Sequence, residues 1–434
     1  MPLTRDDSAQ PDDSAQRLIM RREEALGPAY RLFYEKPVHI VRGEGVFLYD
    51  ADGRRYLDVY NNVASMGHCQ PRVVDAICNQ IKQLNTHTRY LGEGIVDYAE
   101  RLLATFPAPL AHAMFTCTGS EANDLALRIA RAVTGGTGVI CTALAYHGVT
   151  AAVTEFSPSL GAHVNLGSHV RTVPAPDAYR APPGEVARRF GQDVQAAIAD
   201  LQRHGIRPAM LIADSIFSSD GVFSGPAGFL KPAVDAIHEA GGIFVADEVQ
   251  SGFGRTGEAM WGFERHEVEP DLVTLGKPMG NGFPMGGVIM RPDMIREFGA
   301  NARYFNTFGG NPVAAAAGLA VLDCLRDEGL QDKALKVGEY LRQALRDLSV
   351  EFACIGDVRG VGLFVGVEIV SDRAARTPDA TTTACIVNGL REKGVLISAT
   401  GPYVNVLKVR PPMIFAPEHV DIFVEAMSAV LRGL

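Results

Sequence analysis

The chain has 434 residues, 47% hydrophobic and 21% charged, a globular composition with material for more than one domain. It carries 41 Lys and Arg against 50 Asp and Glu, a net charge of −9, with no block of basic residues, which argues against nucleic acid as a partner. Seven scattered cysteines without a C-x-x-C pair exclude a zinc knuckle and fit a reducing, cytoplasmic setting.

Residues 6–16 repeat Asp-Asp-Ser-Ala-Gln around a proline, and residues 1–17 are expected to be a disordered tail. No apolar h-region begins the chain, so no signal peptide is expected. Val38 to Val59 reads as strand, with Asp52-Gly53 as a hairpin turn between alternating runs. From Pro71 the period becomes helical through Val73, Ile77, Ile81 and Leu84. Apolar runs then predict strands at Ala113–Cys117, Gly138–Cys141, Ala209–Ala213, Ile243–Asp247 and Leu272–Leu275. Helical patterns separate them at Glu121–Val133, Val194–His204 and Lys231–Ala240. Continuous apolar strands between helices imply a mostly parallel sheet covered on both faces, an α/β fold. Pro312 to Leu322 is the most apolar stretch, and Asp323 closes it well short of the about 20 residues a membrane span needs. The helical reading continues to about Leu348; strand-like runs follow at Gly362–Glu368 and Val406–Arg410, and a last helix starts near Pro417. Residues 66–325 are expected to form a large domain, and 18–65 and 326–434 together a smaller α+β domain.

Three places carry chemistry. The strand Ile243–Asp247 runs into Asp247-Glu248, and a buried carboxylate at the C-terminal end of such a strand either holds a ligand or pairs with a neighbouring Arg. Lys277 follows another buried strand; in a low-dielectric pocket it would be nucleophile and base, and otherwise it is an exposed loop lysine. Gly119-Ser120 opens a helix, which offers free N–H groups to a phosphate or is an ordinary N-cap. Gly252-Phe253-Gly254-Arg255-Thr256-Gly257 fits G-x-G-x-x-G, but it does not follow a strand tightly, and a bulky Trp261-Gly262-Phe263 segment comes after it. A dinucleotide site is therefore not expected there.

Together, "TGSEAN", "YHG", "ADEVQSGFGRTG", "LGKP" and "NTFGGNP" resemble the fold-type I, class III aminotransferase family, from about Val38 to the C-terminus. The resemblance implies pyridoxal 5'-phosphate as cofactor and an obligate homodimer with active sites at the subunit interface. It makes Lys277 the Schiff-base lysine and places Asp247 on the pyridine nitrogen. Gln250 would lie near the cofactor's phenolic oxygen. Gly119 and Ser120 would bind its phosphate, joined by Thr307 from the other subunit. Tyr146 would stack on the ring with His147 close by. Asp214 ("ADS") stands where the family carries Glu before Pro ("AEP").

Within that family, "RYLDVYNNVASMGHC" with its Asn61-Asn62, "ARYFNTFGGNPVA" and "TGPYVNVLKVRPPMIF" resemble the ethanolamine-phosphate and phosphohydroxylysine phospho-lyases. Many class III transaminases clamp a substrate carboxylate with an Arg three residues before Pro-Pro; here that position is Lys408, followed by Arg410. Two cations at i and i+2 on a strand share a face and suit a phosphate dianion, although a carboxylate or plain salt bridges would also use them. The expected reaction is elimination of phosphate from a phospho-amine to give aldehyde, ammonia and phosphate. The alternative is an ω-aminotransferase with a keto-acid acceptor.

Overall fold

The computed structural model describes residues 11–60 and 63–434. Asn61 and Asn62, singled out above, lie outside the described residues, as do residues 1–10 of the expected tail. Residues 11–17 correct that expectation: they are the first turns of a helix, Pro11–Leu26. Pro11 suits a first helical position, where its missing N–H costs nothing, and only the last part of the stretch carries apolar side chains such as Leu18 and Ile19.

Among the described residues ten strands precede residue 300. The first three form a meander, β1 (Ile40–Glu44), β2 (Phe47–Asp50) and β3 (Arg55–Asp58). The β2–β3 turn falls on the expected Asp52-Gly53: Gly53 takes φ +81°, and Asp50 Oδ1 accepts from the N–H groups of Asp52 and Arg54. Then come β4 (His112–Thr116), β5 (Gly138–Thr142), β6 (Val170–Val173), β7 (Pro208–Asp214), β8 (Ile243–Asp247), β9 (Leu272–Leu275) and β10 (Gly286–Met290). These seven make one sheet in the order β4-β10-β9-β8-β7-β5-β6. Pairing from β9 through β8, β7 and β5 to β6 is parallel, and β10 runs antiparallel to both of its neighbours. The sheet is mostly parallel, as its apolar runs require; β10 itself begins Gly286-Gly287, which mutes its strand signal.

The C-terminal third carries β11 (Ile355–Val361), β12 (Phe364–Asp372), β13 (Thr377–Pro378), β14 (Val395–Leu396), β15 (Ser398–Thr400) and β16 (Val406–Val409). The strand β14 pairs in parallel with β3, so both ends of the chain share one sheet. In a second sheet β16 lies between β12 and β15. The helix Gly119–Thr134 buries Leu125, Ala126, Ile129 and Ala130 against the large sheet, and Gly135 ends it in the left-handed conformation. No helix among the described residues is long and apolar enough to cross a membrane.

The G-x-G-x-x-G segment is structural. Arg255 is fully buried and donates to the carbonyls of Leu363 and Pro411 and to Ser65 Oγ, joining three distant parts of the chain. Gly257 passes so close to Leu335 that a Cβ would sit 2.5 Å from its nitrogen. Close packing of a loop on a helix accounts for these glycines without any phosphate.

Candidate active site

Adjacent parallel strands set the centre of the site. Asp247 ends β8 and pairs in register with Thr274 of β9; Lys277 follows three residues later, past Gly276. The separation of acid and amine is therefore governed by strand spacing. Both line one small cavity of about 80 Å³, together with Gly119, Ser120, Asn123, Tyr146, His147, Gly148, Asp214, Val249 and Gln250.

Asp247 is buried and held on three sides. His147 Nδ1–H donates to Oδ2 at 2.7 Å, Asn123 Nδ2 donates to the same oxygen at 3.0 Å, and Val249 N–H donates to Oδ1 at 3.1 Å. A carboxylate has room for about four donors, so one acceptor position stays open. Asn123 also donates to the His147 carbonyl, at 2.7 Å, and so fixes the two partners relative to each other. Asn123 is the residue that sequence reasoning passed over. It sits inside "TGSEAN" four residues after Gly119, hence on the same face of the helix.

Lys277 is the amine of the site. Its burial, reinforced by Arg410, pushes the ammonium down to about 8, against the opposing pull of Asp247 and Asp214. Its Nζ lies 6.0 Å from the centre of the Tyr146 ring. An amine so shifted is available as nucleophile and base near neutral pH.

The helix opening at Gly119 is capped by Thr118, not by Ser120: Thr118 Oγ1 accepts from Glu121 N–H and Thr118 O from Ala122 N–H. That leaves the N–H groups of Gly119 and Ser120 without a capping partner among the described residues, at the positive end of a 16-residue helix. Ser120 Oγ accepts from Val149 N–H, and a Cβ on Gly148 would come within 2.5 Å of that Oγ, so the cradle needs glycine there.

Gln250 Nε2 donates to Ser218 Oγ at 2.5 Å, and its Oε1 accepts from Arg410 Nη1. Asp214 turns back on its own loop: Oδ1 accepts from Ile216 N–H at 3.1 Å and Oδ2 from Ser218 N–H at 2.9 Å. The shorter acid thus lines the cavity but shapes the turn that carries Ser218. Glu248 has a different task from Asp247. Fully buried, it accepts from Ser215 and Ser251 hydroxyls and from Gly262 and Phe263 N–H groups, and burial lifts its carboxyl to about 7.

Lys408 on β16 and Arg410 just past its end lie behind the cavity and are coupled to it, Arg410 through its hydrogen bond to Gln250 and both through the charge they exert on Lys277 or feel from it. Both are buried, and neither makes an ion pair among the described residues. Arg410 is anchored by Gln250 and by the Tyr60 carbonyl, which accepts from its Nε at 2.9 Å. Lys408 Nζ makes no hydrogen bond among the described residues and lies 5.8 Å from the Phe364 ring centre. Burial first, then Arg410 and Lys277, lower its ammonium well below the ordinary value, with Asp214 and Asp220 opposing. Thr307 is exposed and, like Lys408 and Arg410, is not among the residues that line this cavity in its own chain.

The donor set fits pyridoxal phosphate: an open acceptor for a ring N–H, an amine for an aldehyde carbon, and a helix N-terminus for a phosphate. Among the described residues no cluster of His, Cys, Asp and Glu could hold a metal ion.

A family model described as Aminotransferase class-III matches residues 33–431. The chain is 41% identical over 437 residues to the Drosophila melanogaster protein named alanine–glyoxylate aminotransferase 2-like, covering 96% of this chain and 88% of that one. It is 36% identical over 438 residues to ethanolamine-phosphate phospho-lyase homolog 1 of Caenorhabditis elegans, covering 96% and 94%. Among solved structures it is similar to a phospholyase from Arthrobacter in complex with phosphoethanolamine. That likeness has a TM-score of 0.93 and 44% identity, over 96% of this chain and 100% of that one.

Proposed function

Because the chain belongs to the class III aminotransferase family, whose cofactor is pyridoxal phosphate, we propose that it is a phospho-lyase acting on phosphoethanolamine or a related phospho-amine. The observation that carries this reading is the pair Lys408 on β16 and Arg410 just past its end: two buried cations that feel the charge of Lys277 and make no ion pair among the described residues, the charges of Asp214 and Asp220 only partly offsetting that of Lys408. Buried charge in that state is costly unless a ligand compensates it, and a dianion matches a pair of cations better than a carboxylate does. Each hydrogen bond from such a cation to an anion stabilises by about 1.5–3 kcal/mol, roughly 10- to 150-fold in affinity. The likeness to a phospholyase that holds phosphoethanolamine supports the same substrate class.

When bound, the cofactor supplies the electron sink. The chain's own residues do the rest. Asp247, oriented by His147 and Asn123, keeps a proton on the ring nitrogen. Lys277, as the free amine, removes a proton from the amine-bearing carbon. Arg410 and Lys408 hold the phosphate on the neighbouring carbon, where it is placed to leave. Phosphoethanolamine and water would yield acetaldehyde, ammonia and phosphate.

Incubated with phosphoethanolamine and no keto acid, the holoenzyme is expected to release inorganic phosphate through many turnovers. Inactivity until pyruvate is added, with an amino group then transferred, would replace this reading by the ω-aminotransferase one. The relative at 41% identity that bears an aminotransferase name keeps that second reading in play.

The same proposal makes the working unit a homodimer in which Thr307 completes the phosphate cradle of the partner. Thr307 sits between exposed Phe305 and Phe308, and Tyr90 and Leu91 are exposed as well, a run of apolar surface suited to burial against another copy. Sedimentation of the holoenzyme is expected to give the mass of two 46.6-kDa chains. A monomer with full activity would refute the shared site. The reducing cytoplasm is the compartment proposed, on seven cysteines that are all free.

A further inference from the structure

We propose that Lys408 is a catalytic acid, giving its proton to the ester oxygen of the departing phosphate as well as holding the anion. This deepens, and rests on, the phospho-lyase reading above.

The chemistry sets the requirement. A phosphate monoester has a second pKa of about 6 and is mainly a dianion at neutral pH. Leaving unprotonated, it would depart as a trianion, a strong base and hence a poor leaving group. One proton delivered to the bridging oxygen turns it into hydrogen phosphate. The balance is then closed. The C–H electron pair becomes the new carbon–carbon π bond, and the proton goes to Lys277. The C–O pair leaves with phosphate, whose oxygen takes a proton from Lys408 Nζ. Lys277 gives its proton up to solvent as Lys408 takes one back, which returns both amines to their starting states, and one water is consumed in releasing aldehyde and ammonia.

The geometry leaves one candidate donor among the charged groups facing this spot. Arg410 is a guanidinium, which does not give up its proton in catalysis, and it is tethered to Gln250 and Tyr60 besides. Asp214 is occupied as an acceptor by the N–H groups of Ile216 and Ser218. Asp220 is occupied likewise by Leu144 N–H and the Thr142 hydroxyl. Lys277 has the carbon proton to remove. Lys408 is buried two residues before Arg410, both over the Phe364 ring, with its amine making no hydrogen bond among the described residues and able to present any of three hydrogens. Its burial, reinforced by Arg410 and Lys277, also makes its ammonium a stronger acid than a lysine in water, the direction a general acid needs.

The test compares two leaving groups on one holoenzyme. Sulfate is a far weaker base than phosphate and departs without a proton, so 2-aminoethyl sulfate asks for the positive charge but not for the acid. In Lys408→Arg the charge stays and the transferable proton is lost. The expected result is a fall in kcat for phosphate release of about 10²- to 10³-fold. KM for phosphoethanolamine and kcat for sulfate release should change by no more than a few-fold. The falling limb of the phosphate pH profile at high pH should also disappear. In Lys408→Gln, which loses charge as well, KM should rise for both esters, while kcat again falls selectively for phosphate. Equal losses of kcat for both esters, or no loss for either, would overturn the proposal; the latter would hand proton delivery to Lys277. A wild-type enzyme that released no phosphate would instead bring down the phospho-lyase reading itself, so the two failures are distinct.

Discussion

Lys277→Ala is expected to remove the visible absorbance of the bound cofactor and to lower turnover by about four orders of magnitude, the upper range for loss of a positioned base and nucleophile. No second amine can take its place without a backbone shift. Lys408, the nearest alternative, is fixed on β16 by pairing with Gly366 and Ser398. The cradle at Gly119 and Ser120 and the acceptor on Asp247 do not depend on the lysine, so the variant should still bind the cofactor without the covalent link. The absorbance spectrum and a single-turnover assay read the two effects separately. A surviving visible band would show that another residue makes the bond.

Asp247→Asn is the second large effect. The amide keeps one oxygen but replaces the other with an NH₂ group, while His147 Nδ1–H and Asn123 Nδ2 both point donors at this side chain. Both donate to Oδ2, so an amide oxygen kept there turns the NH₂ onto the Val249 N–H that Oδ1 had accepted and leaves that donor unsatisfied, at a cost of about 1–3 kcal/mol in stability. The catalytic loss is larger. Without an anion the ring nitrogen no longer holds its proton, and a preorganised charge of this kind contributes about 10²- to 10³-fold in rate. Urea unfolding and kcat measured on the same preparation separate the two. A variant of near-normal turnover would mean that the acid serves only the fold.

The parts of the site written in contiguous sequence were legible from it. Asp247 and Lys277 stand at the ends of apolar runs whose strand assignment follows from composition, and the cradle stands at a helix start. Residues brought in by pairings distant in sequence were not. Asn123 is invisible as a carboxylate support until the helix Gly119–Thr134 is laid on the sheet, because nothing in "TGSEAN" says which face β8 meets. Glu248 adjoins Asp247 in the sequence, and only the folded chain tells the two apart by showing the oxygens of Glu248 occupied by Ser215, Ser251, Gly262 and Phe263. The i, i+2 spacing matches two cations that both lie over the Phe364 ring, but that Arg410 is tethered while Lys408 makes no hydrogen bond among the described residues depends on Gln250 and Tyr60, which lie 160 and 350 positions from Arg410. The N-terminal helix was missed because a polar repeat gives no apolar stripe to read.

The Arg255 tether separates two kinds of inheritance. On the proposed reading, the acid and amine of the reaction stand at the ends of β8 and β9 of the large sheet, whereas the cations that would select the molecule stand on and just past β16 of another, and the buried Arg255 guanidinium is one of the side chains that pin the two frames together. Rewriting a few codons along one short ribbon could change what is consumed while leaving the reactive apparatus untouched. A scaffold divided in this way can give rise to both amino-group exchangers and phosphate eliminators without reinventing its core.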